Sequence, residues 1–296
     1  MRVTTLVNDV LSGVQQSEQS LQIALEQLSS GKRVNQPSDD PSASAEMVQN
    51  LSQSANVDQY TKNVSSLLSE TQTADSSLYS VVTLLTQAIT VGTQGANGAL
   101  TTANKQALAT QVQAILGNVV SQANSSYRGS YLFGGTASSA APYTAAVGAP
   151  SGYQYNGNSN VNTVQIGDSL STPTNIPGNQ IFSQPGSDVL AALSGLVSAL
   201  QTGTTPQIVA ATAAITTAST YVGQERVALG NISSQLTSQE SYLSQETLTL
   251  ATQQNSLVGI DVSIAATNLS EAEISHSAVL TAAAKVLPNT LLDYLK

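Results

Sequence analysis

Near the start of the chain, Val7, Val14, Leu21 and Leu28 recur every seven residues, with Val3, Leu11 and Leu25 three or four positions away. This spacing predicts a helix with a narrow apolar seam. It stops at Ser29-Ser30-Gly31, where Gly31 can take the left-handed conformation that ends helices. A linker from Lys32 to Asp40 follows, in which Asp40 is placed to cap the next helix and Pro41 suits its first turn. That second helix carries Val57, Tyr60, Val64, Leu67, Thr71, Ala74, Leu78, Val81, Leu85 and Ala88 in alternating steps of three and four. Its fifty or so residues, at about 1.5 Å each, make a long rod. Gly92, Gly95 and Gly98 mark a turn, and a third helix is predicted from Thr101 to Tyr127, with Leu108, Val112, Ile115 and Val119 on one face.

From Tyr131 the pattern changes to Gly, Pro, Asn, Ser and Tyr with short alternating pieces such as Val161 to Ile166, which predicts short strands and turns. Helix resumes near Asp188, is interrupted at Gly203 and Pro206, and leads into the strongest signal of the chain. Val222, Leu229, Leu236, Leu243, Leu250, Leu257 and Ile264 keep an unbroken spacing of seven. A stripe this narrow needs another long helix as its partner. A break is expected near Leu269-Ser270-Glu271, followed by a last segment with Val279, Val286, Leu291 and Leu295, in which Pro288 should end or kink the helix.

The layout is symmetric about its middle, so the simplest way to bury the seams is to fold the chain back on itself. The expected fold is mainly α: a long antiparallel helical rod or coiled coil formed by the N- and C-terminal regions, with a small β-rich domain inserted in the middle. The expected division is 1–40 and 265–296 as terminal coiled-coil segments, 41–136 and 187–264 as a helical rod, and 137–186 as the β-rich insertion. Val7, Val14, Leu21, Leu28, Val279, Val286, Leu291 and Leu295 are the candidate assembly seams, and Gly31, Asp40 and Pro41 the linker and helix cap.

Composition sharpens this. Only 9% of residues are charged, against about 25% in typical domains. The outer helix faces carry Ser, Thr and Gln where a solvated rod would carry Glu and Lys pairs. Much of the surface is therefore expected to be covered by other protein chains. The net charge of -9 and nine scattered basic residues exclude a nucleic-acid partner and disfavour an anionic membrane. No run of about 18 apolar residues suggests membrane insertion. Asn8 and Asp9 interrupt the stretch a secretory signal would need, so export, if it occurs, is expected by another route.

No enzyme chemistry is expected. There is no Cys, and the single histidine, His276, reads as a packing residue rather than a metal ligand. Asp39 and Asp40 are adjacent and would point apart, so capping is favoured over acid–base work. Lys32 and Arg33 read either as solvated charges or as partners of Asp39, Asp40 or a neighbour. Four glycosylation-type triplets, at Asn63, Asn124, Asn231 and Asn268, fall in helical runs or at a helix break and read as accidental. Tyr131 and Phe133 read as sealing the edge of the β-rich insertion. No cofactor is expected.

Leu28-Ser29-Ser30-Gly31-Lys32-Arg33-Val34 followed by Pro37-Ser38-Asp39-Asp40-Pro41 resembles the N-terminal signature of the bacterial flagellin superfamily. The form of that signature, Gly129 to Thr136 and the ending Leu291-Leu292-Asp293-Tyr294-Leu295 are similar to the hook-associated branch, at the hook-filament junction. The resemblance implies a structural axial subunit joining hook to filament, exported by the flagellar type III route to the extracellular flagellum. It implies terminal segments that form an inner coiled-coil tube, stay disordered in the monomer and become ordered by neighbours. The partners it implies are identical subunits in a ring, the hook-side junction protein, flagellin and an export chaperone that holds the C-terminal region. Filament flagellin, which often carries a proline where Pro288 stands, is the second reading, and a non-flagellar coiled-coil adaptor the third.

Overall fold

The computed structural model describes the backbone of residues 2–294 and the side chains of residues 8–285. Among the described residues, seven helices and six short strands follow one another as α1 (Arg2–Ser30), α2 (Pro41–Gly95), α3 (Thr102–Ala123), β1 (Ser126–Tyr127), β2 (Ser130–Tyr131), β3 (Tyr143–Ala145), β4 (Tyr153–Tyr155), β5 (Thr163–Gly167), β6 (Leu170–Pro173), α4 (Gly178–Phe182), α5 (Val189–Thr202), α6 (Thr205–Val258) and α7 (Val262–Tyr294). The expected class is the observed one: mainly α, with the helices of both ends flanking a small strand-bearing middle. Two compact units are present, one of Met1–Asn56 with Gln245–Lys296 and one of Val57–Ser244, so α2 and α6 contribute to both.

The second unit holds the main core. The three-and-four spacing of α2 buries Val64, Leu67, Leu78, Val81 and Leu85, and the heptads of α6 bury Val222, Leu229, Leu236 and Leu243, none more than 4% exposed. α3 lies on α5, and both feed the same cluster through Val112, Val119, Leu193 and Leu196. α5 starts where it does because Asp188 accepts a hydrogen bond from the Ala191 amide at 2.7 Å, and it ends at Gly203, whose amide closes on Ala199. A bidentate pair from Arg226 to Asp75, at 2.9 and 3.1 Å, ties α6 to α2, and the same guanidinium lies 5.0 Å from the centre of the Tyr79 ring.

The middle is three separate antiparallel hairpins, β1–β2, β3–β4 and β5–β6, rather than one sheet. β5–β6 is pinned to the helices by side-chain amides. Asn63 Nδ2 donates to the Gln165 carbonyl and Gln239 Nε2 to the Ile166 carbonyl, both at 2.8 Å, while Ile166 is fully buried. An aromatic group formed by Phe133, Phe182 and Tyr143 packs edge to face at 5.3 and 5.8 Å and joins the hairpins to α4.

Three expected boundaries differ. The third helix stops at Ala123 rather than Tyr127, because the Asn124 side chain leaves the helix to exchange two 2.8 Å hydrogen bonds with the backbone of Tyr143. Tyr127 to Ser130 then form a two-residue hairpin turn, with φ of 50° at Arg128 and 85° at Gly129. The break expected near Leu269 lies at Gly259–Asp261 instead, and α7 runs unbroken through that segment and on past Pro288. The sevenfold stripe therefore loses its phase at the new break: Leu250 is buried, Leu257 partly buried, and Ile264 is 58% exposed, with Ala265 in its place.

Leu78→Ala should cost about 2–5 kcal/mol, since the side chain is fully buried in a continuous core, whereas Val227→Ala, on the exposed face of α6, should stay within about 0.5 kcal/mol. Urea denaturation of the whole chain, followed by far-ultraviolet dichroism, measures both.

Candidate assembly site: the helix junction and the terminal seam

Four helices meet in the first unit, and the linker motif builds the meeting point. α1 ends at Gly31, whose φ of 67° lets its amide close on Gln27 at 3.0 Å. The next residues pair with the chain leaving α6: Lys32 forms an antiparallel bridge with Gly259, the Arg33 amide donates to Val258 at 2.7 Å, and the Ile260 amide donates to Gly31 at 3.3 Å. Gly259 is required here, since a Cβ would collide with the Asn255 carbonyl. Val34, Ala43 and Val258 close an apolar floor beneath, with Met47 and Leu257 beside them.

Charges finish the junction. The Arg33 guanidinium donates to the Leu257 carbonyl at the end of α6, at 3.0 Å, and to Asp40 Oδ2 at 3.1 Å. Asp40 Oδ1 accepts from the Ala43 amide at 3.0 Å and from Ser42 Oγ at 2.8 Å. One arginine thus neutralises a helix C-terminus and braces the carboxylate that caps the next N-terminus. The Ala43 amide, the Ser42 hydroxyl and then Arg33 hold the Asp40 carboxyl down at about 2. Asp39 points elsewhere and accepts from the Asn35 and Gln36 amides at 3.0 and 2.9 Å, shaping the linker. Asp261 caps α7 through the Ser263 amide at 2.8 Å.

The sequence offered two readings of Arg33, and the structure places it against Asp40. Its grip on α6 and the cap at Asp261 were missed. Gly259 followed by Asp261, a helix stop and a helix start, was the available signal, hidden beneath the continuing heptads.

Beyond the junction α1 and α7 lie side by side. On α1 Val10, Val14, Ser17, Leu21, Ala24 and Leu28 are shielded, with Gly13 and Gln27 beside them, and on α7 Ala265, Leu269, Ala272, His276, Val279 and Ala283 are shielded. Each series steps alternately by four and three, the signature of a two-helix seam. Val14, Leu21, Leu28 and Val279 are therefore on it. The side chains of Val7, Val286 and Leu291, and all of Leu295, lie outside the described residues. Leu11 and Leu25, expected on the seam, are 56% and 49% exposed, because the closer-packed Ser17 and Ala24 occupy the intermediate places.

Gly13 of α1 faces Val279 of α7 with room for a side-chain carbon between them. A Cβ on Gly13 would stand 4.0 Å from Val279 Cγ1.

The first unit leaves much apolar surface uncovered. Leu11, Ile23 and Leu25 on α1, Val48 and Leu51 on α2, Leu248 on α6, and Val262, Ile264, Ile274 and Leu280 on α7 are ten of the seventeen large apolar side chains that stand exposed among the described residues. Among those residues there is no cluster of three His, Cys, Asp or Glu placed to hold a metal, and no helix long and apolar enough to cross a membrane.

Paired end-helices, a braced junction and uncovered apolar flanks define a helical protein whose two ends fold together. The profile of the bacterial flagellin N-terminal helical region matches residues 4–138, and that of the C-terminal helical region matches residues 212–295. The chain belongs to the bacterial flagellin family.

Its relatives include flagellar hook-associated protein 3 of Salmonella typhimurium, 29% identical over 198 residues, which are 66% of this chain and 61% of that one. The protein of the same name in Escherichia coli is 29% identical over 58% of this chain and 53% of its own length. Flagellin B of Helicobacter pylori is 32% identical over 41% of this chain and 24% of its own length. The chain thus aligns with less than two thirds of each of these relatives. The fold is shared with a solved flagellar hook-associated protein of Vibrio parahaemolyticus, at a TM-score of 0.68 and 22% identity over 75% of this chain and 100% of that one. It is also shared with hook associated protein-3 of Legionella pneumophila, at 0.63 and 15% identity over 71% of this chain and 98% of that one.

Because the folded-state value of Asp40 lies below its ordinary 3.8, its contribution is complete above that pH and is lost as pH falls toward about 2. In an acid titration, hydrogen exchange at the Ala43 and Ser44 amides should accelerate across that window. Asp40→Asn, which keeps a capping oxygen but no charge, should remove the pH-dependent part.

Proposed function

We propose that the chain is a structural axial subunit of the bacterial flagellum, joining hook to filament by helical packing. The observation that carries this is the concentration of uncovered apolar side chains on the first unit, the part built from both chain ends. Apolar surface of this extent, on a chain with so few charges, calls for protein neighbours. Relatives named as hook-associated protein 3 support the junction role, and they align over more of this chain than flagellin B does.

In this reading residues 1–40 and 265–296 form the inner layer, with Val7, Val14, Leu21, Leu28, Val279, Val286, Leu291 and Leu295 as its seams. Residues 41–136 and 187–264 form the surrounding rod, and 137–186 face outward. Gly31, Asp40 and Pro41 set the passage from inner layer to rod. Identical subunits complete a ring, the hook-side junction protein lies on one side and flagellin on the other. An export chaperone covers the C-terminal region before passage through the flagellar type III route to the cell exterior. Filament flagellin is the second reading, favoured by the 32% identity to flagellin B.

Deletion of the gene separates the readings. A junction subunit predicts intact hooks, no attached filaments, and flagellin monomers shed into the medium. Motile cells with normal filaments would overturn the proposal, and loss of the shed monomers themselves would favour flagellin. In the purified monomer the amides of α1 and α7 should exchange faster than those of α2 and α6, and gain protection on assembly.

A further inference from the structure

The seam between α1 and α7 contains a polar layer. Ser17, 8% exposed, stands 3.0 Å from Nδ1 of His276, the single histidine of the chain. Ser17 Oγ also donates to the Val14 carbonyl at 2.9 Å. With its own proton directed to Val14, Oγ is placed to accept from Nδ1 in the tautomer that carries a proton there. Stepping outward from this pair in antiparallel register sets Val14 against Val279, Leu21 against Ala272, Ala24 against Leu269 and Leu28 against Ala265.

The layers on either side pair Val with Val and Leu with Ala, and a heptad slip sets one apolar side chain against another in each of them, so they discriminate less than a polar layer does. The polar layer does discriminate. Slipping α7 by one heptad would bury the imidazole against Val10 or Ala24 and leave Ser17 facing Ala283 or Leu269, with Nδ1 unpaired. Pairing two copies of α1, or two of α7, likewise separates the hydroxyl from the ring. The hydroxyl is buried and the ring half-buried, so losing the bond between them costs more than it would at an open surface, which is how single polar residues specify partner and register in helix pairs.

We propose that Ser17 and His276 select α7 as the partner of α1, in this register, over slipped pairing and over pairing of like helices. The junction at Gly31 and Gly259 anchors only the base of the pair, and this layer acts 14 residues further along α1. The inference stands on this geometry and does not depend on the flagellar role. The bond is equally satisfied when α7 comes from a second copy, so it selects which helix pairs rather than which copy.

The absence of cysteine makes engineered cross-links free of background. Leu21→Cys with Ala272→Cys reports native register, Leu21→Cys with Val279→Cys reports a one-heptad slip, and Leu21→Cys alone reports pairing of like helices between copies. With Ser17 and His276 present, oxidation of the full-length chain should close only the 21–272 bond. In a Ser17→Ala, His276→Leu background the slipped bond and the 21–21 dimer should rise about tenfold relative to it, since the apolar layer restores packing without selectivity. Ser17→His with His276→Ser, which exchanges the partners, should return the native pattern, while either change alone should not. An unchanged pattern in the apolar background, or an exchange variant that behaves like it, would overturn the proposal.

Discussion

A helix whose apolar residues occupy only two places in every seven buries them against another helix or not at all. Everything else here depends on that constraint. α2, α3, α5 and α6 answer it within the second unit, where Leu and Val side chains interlock in one continuous buried cluster. α1 and α7 answer it with a seam that mixes Val and Leu with alanine, serine and histidine, and they leave other large apolar side chains such as Leu11, Leu25 and Ile274 exposed on their flanks. The two ends therefore bury less in each other and leave large apolar side chains uncovered.

The junction reconciles these two regimes. Four helix ends within one small volume would expose many unpaired amides and carbonyls. The linker supplies a partner for several at once, Arg33 for the end of α6, Asp40 for the start of α2 and a short backbone bridge between Lys32 and Gly259, while Asp261, in the break between α6 and α7, caps the start of α7. A sequence otherwise poor in charge places three charged side chains of its linker, Arg33, Asp39 and Asp40, in these bonds. That is the physical content of the Ser-Ser-Gly-Lys-Arg-Val and Pro-Ser-Asp-Asp-Pro segments through which the chain first resembles its family.

Periodicity was legible wherever one helix face meets a continuous core. The α2 series from Val57 to Ala88 and the α6 series from Val222 to Leu250 read correctly because three-and-four spacing has one geometric outcome. The Asp40 cap and the stop at Gly31 were legible for a similar reason: both act within one turn of their own position. Misreadings arose where distant groups intervened. Asn124 ends α3 by bonding to Tyr143, and the heptads persist across Gly259 although the helix does not.

The sequence by itself therefore determined the helical class, the strand-bearing middle, the long seams and the local caps, since these follow from spacing and from side chains acting on adjacent backbone. Only the tertiary structure decided where α6 yields to α7, that Arg33 serves two helices, that the hairpins remain three separate pairs, and that Ser17 and Ala24 rather than Leu11 and Leu25 face α7. Those choices rest on distances between residues far apart in the chain. An apolar side chain three places along a helix and one four places along satisfy the same pattern until a partner helix arrives to cover one of them.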